Sequence, residues 1–297
     1  MKAWDHIPED FDGEVALCIG KFDGFHLGHR LLIEEAAKTG NPVAVMTFVF
    51  NKTKTIDDRE EKKKLAAALG VDYYFEIEPD SGFFSMTPER FVSDYVAGRL
   101  HSKYVVVGDD FRFGRDRIGD IQTLSELAKE YDYSLIVVPK IQYKDEDISS
   151  SRIRKCIENG QLSDTEAMLG RTFRLSGEVT DGNHIGRQIG VPTANIFPAE
   201  GKVCPPKGVY EVGVLVDNDV KEYAGIADFG VKPTVGENYP EGLEVHLIDY
   251  NGNLYGRNIA VLFKSFIREE KKFADMNELH RQIDEDLRRV KNGIDKQ

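Results

Sequence analysis

Cysteine is scarce in this sequence, with three residues in 297. Cys18, Cys156 and Cys204 are odd in number and far apart, and none forms a Cys-x-x-Cys pair. No disulfide framework is readable, and a reducing cytoplasm is the expected compartment. Positive charge is also short: 39 Lys and Arg stand against 51 Asp and Glu, for a net charge of −12. A chain that grips phosphate backbones is usually basic, so a nucleic-acid partner is not expected. Small anions remain open as ligands, because clustered N–H groups and Arg hold them against an unfavourable global charge. Long apolar runs are missing too. The most apolar stretch, residues 43–50, is too short to span a bilayer, and the early acids and proline of MKAWDHIPEDFDGE are followed by no signal core. No membrane partner is expected. There is no internal repeat, heptad run or low-complexity tract.

With 41% hydrophobic residues the chain has enough apolar side chains for a core, and its length suits two domains. The first half alternates strand and helix patterns. Strands are expected at Glu14–Gly20, Pro42–Phe50, Val71–Ile77, Lys103–Gly108 and Ser134–Pro139. Helices are expected at Leu27–Lys38, Arg59–Leu69, from Thr87-Pro88-Glu89 onward, and Ile121–Tyr131. Such alternation predicts an α/β, Rossmann-like domain, a parallel sheet with helices on both faces. Its ligands belong at the carboxyl ends of the strands. Ser150–Glu158 reads as a helix, and Ser163-Asp164-Thr165-Glu166 as a capping box opening a short helix that ends at Gly170. Beyond Arg171 strand-like runs dominate: Phe173–Thr180, Val209–Asp217, Glu222–Phe229, Leu243–Ile248 and Asn258–Ile267. They predict a small antiparallel β-barrel, followed by a helix over about Met276–Val290 with Asp275 and Glu278 as its capping box and Gly293 past its end. The domains are expected to be 1–170 and 171–297.

The first chemical motif is Gly20-Lys21-Phe22-Asp23-Gly24-Phe25-His26-Leu27-Gly28-His29, between a strand and a helix. Its glycines let backbone approach a ligand closely, and the helix N-terminus presents N–H groups to an anion. His26 and His29 can donate to phosphate oxygens. An ATP triphosphate attacked at its α-phosphorus needs this, since the chemistry is positioning and charge stabilisation. A glycine turn with two incidental histidines is the plainer alternative, and the strand–turn–helix setting argues against it.

His-x-Gly-His after a first strand resembles the nucleotidyltransferase superfamily. The longer string FDGFHLGHR resembles the adenylyltransferase half of bacterial bifunctional riboflavin kinase/FAD synthetases. Gly108-Asp109-Asp110-Phe111-Arg112-Phe113-Gly114 is similar to a Gly- and Phe-bearing family segment. Ile148-Ser149-Ser150-Ser151-Arg152-Ile153-Arg154 is similar to its second nucleotide motif. The resemblance implies ATP and phosphate contacts at Gly20, Phe22, Asp23, Gly24, His26, Gly28, His29, Asp110, Ser150, Ser151 and Arg154. Ser150 and Ser151 are expected to cap their helix. The residues after Thr47-Phe48 are Val49-Phe50-Asn51-Lys52, without the proline and histidine that help to hold flavin in the family.

The second half carries Gly182-Asn183-His184-Ile185-Gly186-Arg187-Gln188-Ile189-Gly190-Val191-Pro192-Thr193-Ala194-Asn195. Its glycines suit a flap over phosphates. Thr193 and Asn195, two apart in an extended segment, offer hard oxygens to one side, as Mg²⁺ prefers. The run resembles the riboflavin kinase motif, which implies ATP contacts at Gly182, Gly186, Arg187, Gly190, Pro192, Thr193 and Asn195, with Mg²⁺ on the last two. Glu244 alternates with Leu243, Val245 and Leu247 and precedes Leu254-Tyr255-Gly256, as the family's catalytic base precedes a Leu-Tyr-Gly turn. Asp228–Thr234 resembles a family turn near the flavin, and Glu60–Lys64 reads as a solvated helix face. His6, His101 and His280 read as surface residues.

The resemblance covers roughly residues 14–292. It implies phosphorylation of riboflavin to FMN in the C-terminal half and adenylylation of FMN to FAD in the N-terminal half. Catalysis would rest on Glu244, His26 and His29, and the small-molecule partners would be ATP, riboflavin and FMN, with Mg²⁺ as cofactor. Two rivals stay open: a kinase whose adenylylation is weak or lost, and a flavin-binding regulator without turnover. Another His-x-Gly-His adenylyltransferase would leave the Pro-Thr-Ala-Asn half unexplained. Oligomeric state is not readable.

Overall fold

The structure, a computed structural model, describes residues 1–9, 11–49, 54–180, 193–217, 219–231, 241–271 and 273–294, with 292–294 described by backbone alone. The chain divides into two compact units, Met1–Arg152 and Ile153–Gln297.

The first unit contains six parallel strands: β1 (Lys2–Trp4), β2 (Ala16–Ile19), β3 (Val43–Phe48), β4 (Tyr73–Ile77), β5 (Tyr104–Gly108) and β6 (Ser134–Val138). Their order is β1-β4-β3-β2-β5-β6. Helices α1 (Leu27–Ala37), α2 (Arg59–Ala68), α3 (Ser81–Phe84), α4 (Pro88–Phe91) and α5 (Ile121–Tyr131) connect them, and α4 runs on into wider π-helical turns over Val92–Arg99. Thr87 caps α4 through its hydroxyl, with Pro88 at the first helical position. Parallel strands covered on both faces read as unbroken apolar runs. One face packs Ala16, Cys18 and Val45 against Leu32 and Ile33 of α1 and Ala66 of α2. The other packs Leu17, Ile19 and Met46 against Phe91, Val92 and Leu124. This is the expected Rossmann-like α/β sheet.

Strand β1 was not expected. Three residues are too few for a period to register, and its place follows from Trp4, stacked on Phe75 with ring centroids 5.4 Å apart. A small hairpin, β7 (Gln142–Tyr143) and β8 (Glu146–Asp147), then leads to α6 (Ser150–Glu158).

The second unit continues with α7 (Leu162–Leu169), β9 (Arg174–Glu178), β10 (Ala194–Ile196), β11 (Gly208–Val216), β12 (Glu222–Val231), β13 (Glu241–Leu247), β14 (Asn258–Arg268) and α8 (Met276–Ile294). The strands form one antiparallel sheet in the order β10-β13-β12-β11-β14-β9. Past the end of β9, the Thr180 N–H donates to the Asn195 carbonyl at 2.9 Å, so the two edge strands meet and the sheet closes as a barrel. Gly177 permits that closure, since a Cβ there would lie 3.1 Å from the Phe197 carbonyl oxygen and 3.2 Å from Ile196 Cβ. Phe173, Tyr210, Phe229, Leu243, Val245 and Phe263 are buried, and Tyr210 meets Phe263 edge to face. Val290 of α8 packs with Ile226 and Ile248.

Helix ends depart from the sequence reading. α7 begins at Leu162 behind Gln161, which makes no side-chain cap bond, and the Thr165 hydroxyl donates back to the Gln161 carbonyl. No capping box forms over Ser163–Glu166, because the helix already runs through those residues. Asp275 does cap α8, accepting from Glu278 N at 2.9 Å, but the Glu278 carboxylate reaches Ala274 N. The helix also passes through Gly293 to Ile294.

Candidate active sites

In the first unit, β2 ends at the centre of the sheet and delivers the Gly20–His29 turn to the carboxyl end of the strands. Gly20 N donates to the Met46 carbonyl at 3.1 Å, which ties the turn to β3. Gly24 sits at φ 90, and Phe22 and Phe25 hold positive φ of 45 and 39 while fully buried. Bulky residues reach that region only where packing over-determines it. Here Phe22 and Phe25 stack on each other, and Phe22 lies 5.0 Å from the His29 ring.

The His26 and His29 rings stack with centroids 3.7 Å apart. Gly28 makes room for this, since a Cβ there would stand 3.2 Å from His26 Cε1. Burial pushes His26 down to about 4 and holds His29 well below the ordinary histidine value, with His26 and Lys62 adding to the effect on His29. Both rings are therefore neutral at pH 7. Their Nδ1 atoms are buried without a hydrogen-bond partner among the described residues. His26 is the N-cap of α1 and gives no side-chain bond to the first turn, which holds no acidic residue. A helix end of this kind favours an anion.

Ser150 and Asp110, two of the other expected contacts, lie at the same end of the sheet. Ser150 donates to the Asp23 carbonyl at 2.7 Å, which joins the start of α6 to the turn. The cap of α6 is not Ser150 or Ser151 but Ser149, whose hydroxyl accepts from Arg152 N at 3.3 Å. The helix starts at Ser150, one residue earlier than a cap at Ser150 requires. Ser151 is exposed and Arg154, a turn along α6, is half-buried. Asp110 lies just beyond β5 and pairs with Lys140 at 3.2 Å. Arg112 is engaged by Asp120, the cap of α5.

Glu60–Lys64 is not the solvated face it was read as. Glu61 closes a capping box with Asp58, and Lys62 is only 7% exposed. Lys62 stands four residues before buried Ala66, the spacing of one helix face, and that was the available signal. Lys62 Nζ donates to Thr47 Oγ1 at 3.2 Å, and the Thr47 hydroxyl donates to the Lys21 carbonyl at 2.8 Å. Phe50, Asn51 and Lys52 lie outside the described residues.

In the second unit, Thr193 Oγ1 donates to Glu244 Oε1 at 2.7 Å. Asn195 faces Glu244 across β10 and β13, and Asp228 faces it from β12. Leu243, Val245 and Leu247 point the other way and are buried. Strand alternation thus collects Thr193, Asn195, Asp228 and Glu244 on one side. The strand expected over Glu222–Phe229 already held Asp228, and β12 runs two residues further, to Val231, past the start of the turn expected at Asp228–Thr234. Gly256 N donates to the Val179 carbonyl, seating the Leu254-Tyr255-Gly256 turn beside the end of β9. Gly182, Gly186, Arg187, Gly190 and Pro192 lie outside the described residues, as do Lys232, Pro233 and Thr234.

Comparison with known proteins covers both units. A family model for FAD synthetase matches residues 9–152 and one for riboflavin kinase matches residues 169–294. The bifunctional riboflavin kinase/FMN adenylyltransferase of Escherichia coli K12 is 39% identical over 91% of this chain and 90% of its own. That of Bacillus subtilis is 33% identical over 95% and 93%. A crystal structure described as a macrolide-efflux protein from Streptococcus pneumoniae superposes with a TM-score of 0.86 at 28% identity, over 98% of each chain. Among the described residues no helix is long and apolar enough to cross a membrane.

Proposed function

The chain belongs to the bifunctional riboflavin kinase/FMN adenylyltransferase family, and we propose that its two reactions run at the two sites described above. It is a transferase that converts riboflavin to FMN and FMN to FAD, with ATP as the donor in both steps. We assign adenylylation to residues 1–170 and the kinase to residues 171–297. The two family models, which end at 152 and begin at 169, support a division in that region.

In the kinase half, Glu244 takes the proton of the riboflavin 5′-hydroxyl as that oxygen attacks the γ-phosphorus of ATP and ADP departs. The hard oxygens of Thr193 and Asn195 fit Mg²⁺. Mg²⁺ completes its shell with phosphates and water, so a few protein oxygens are enough to hold it. Bound there, Mg²⁺ would neutralise the phosphate charge that accumulates during transfer. Gly182, Gly186, Arg187, Gly190 and Pro192 would cover the nucleotide.

In the other half, an FMN phosphate oxygen attacks the α-phosphorus of ATP and pyrophosphate leaves. His26 and His29, neutral and stacked at an open helix end, donate to oxygens that gain charge. Gly20, Phe22, Asp23, Gly24 and Gly28 shape the turn, and Asp110, Ser150, Ser151 and Arg154 complete the nucleotide contacts. The stacked pair is the observation that carries this assignment, since its buried Nδ1 atoms have no partner among the described residues. The net charge of −12 supports small molecules as the only substrates, and three free cysteines support the cytoplasm.

The test is incubation with riboflavin, ATP and Mg²⁺, with FMN and FAD followed by chromatography. FMN and then FAD are expected. FMN alone would remove the adenylylation assignment, and neither product would remove both.

A further inference from the structure

Lys62 is a buried lysine that the chemistry above does not use. Among the described residues its ammonium makes one hydrogen bond, to Thr47, and no ion pair. An ammonium carries three donors, and burying one with a single hydrogen bond is costly. The charged groups around it are Glu76 on β4, Asp23 in the turn, Asp57 before α2 and Arg59 on α2. Burial lowers its proton affinity, and the three carboxylates raise it. Glu76 is itself bound to Arg59 at 2.8 Å, so it is not a dedicated counter-ion.

Two links run from Lys62 to the histidine turn. The first is mechanical: Lys62 Nζ to Thr47 Oγ1, then Thr47 Oγ1 to the carbonyl of Lys21, five residues before His26. The second is electrostatic: the Lys62 charge acts on His29 in the same direction as burial and His26. We propose that Lys62 is a positioning residue for adenylyl transfer. It fixes the residue 20–26 turn through Thr47, and its ammonium acts on His29 so that the stacked pair stays neutral where phosphate charge develops. This rests on the assignment of adenylylation to the first unit.

The test compares Lys62→Met and Lys62→Arg in the full chain, with FMN, ATP and Mg²⁺ supplied. For Lys62→Met, kcat for FAD formation is expected to fall by about tenfold or more, as for loss of a preorganised charge. Without the neighbouring cation His29 is easier to protonate, so the acid limb of its pH–rate profile should move to higher pH. Lys62→Arg should keep most of the rate and the wild-type limb, and FMN formation from riboflavin should be unchanged in both. A purely structural lysine would not move the limb. FAD formation by Lys62→Met within about twofold of wild type, or equal damage in Lys62→Arg with an unmoved limb, overturns the proposal. If Lys62→Met does not fold, Thr47→Val decides. It should lower kcat severalfold with the limb in place, and an unchanged rate overturns the proposal. Absence of FAD from the wild type would instead refute the adenylylation assignment itself.

Discussion

Thr193 and Glu244, 51 residues apart in the chain, are joined by a 2.7 Å hydrogen bond from hydroxyl to carboxylate. The residue that would hold Mg²⁺ and the residue that would take the proton therefore orient each other. Neither can be replaced without disturbing its neighbour.

Glu244→Gln keeps the shape of the side chain and removes the base. FMN formation should fall by about 10²–10⁴-fold, the usual contribution of a general base. FAD formation from supplied FMN should continue, and chromatography with each flavin in turn separates the two effects. Thr193→Val should show the same separation.

Gly28→Ala places a methyl group 3.2 Å from His26 Cε1 and 3.3 Å from its Nδ1. Alanine is the better helix residue by about 0.5–1 kcal/mol, so the melting point should not drop much. The imidazole has to turn away from its stack, and misplacement of this size costs up to about a hundredfold. FAD formation should fall while FMN formation is preserved. Equal loss of both would point to misfolding.

Acid should weaken the first unit. His26 is buried and neutral, with a folded value of about 4 against an ordinary 6.5. A depressed value favours the folded state at neutral pH, and that contribution is lost as pH falls from 6.5 towards 4. The shift corresponds to about 3 kcal/mol at most. Melting curves at pH 7 and pH 4.5 should therefore differ more for wild type than for His26→Asn. An equal acid loss in both would show that His26 is not responsible.

The parallel sheet was legible because β2 and β3 are apolar almost throughout, as strands covered on both faces must be. The His-x-Gly-His turn was legible because its parts are contiguous. Lys62 was not, because a run of eight charges, Asp57 to Lys64, masks the fact that Lys62 and Ala66 share a face, and only the packed helix shows which face turns inward. The pairing of Asn195, Asp228 and Glu244 depends on the register of three strands separated by long connections. Local sequence does not determine that register, although resemblance had already singled out Asn195 and Glu244. The caps of α6 and α7 were misassigned because several Ser, Thr and Asp residues compete for each.

Gly177→Val would force a branched side chain into the seam where β9 approaches Ile196 and Phe197. Overpacking of this kind costs about 1–3 kcal/mol. The kinase half should melt earlier and FMN formation should become heat-sensitive. An unchanged melting point would mean that the seam relaxes without strain.

Trp4 is the sole tryptophan of the chain, and it lies against Tyr73 and Phe75 at the edge of the first sheet. Light absorbed selectively by indole therefore interrogates the first unit alone, while the barrel, with tyrosine and phenylalanine only, stays dark at that wavelength. The molecule carries its own optical label, so the unfolding of one half can be watched in the intact chain without any added dye.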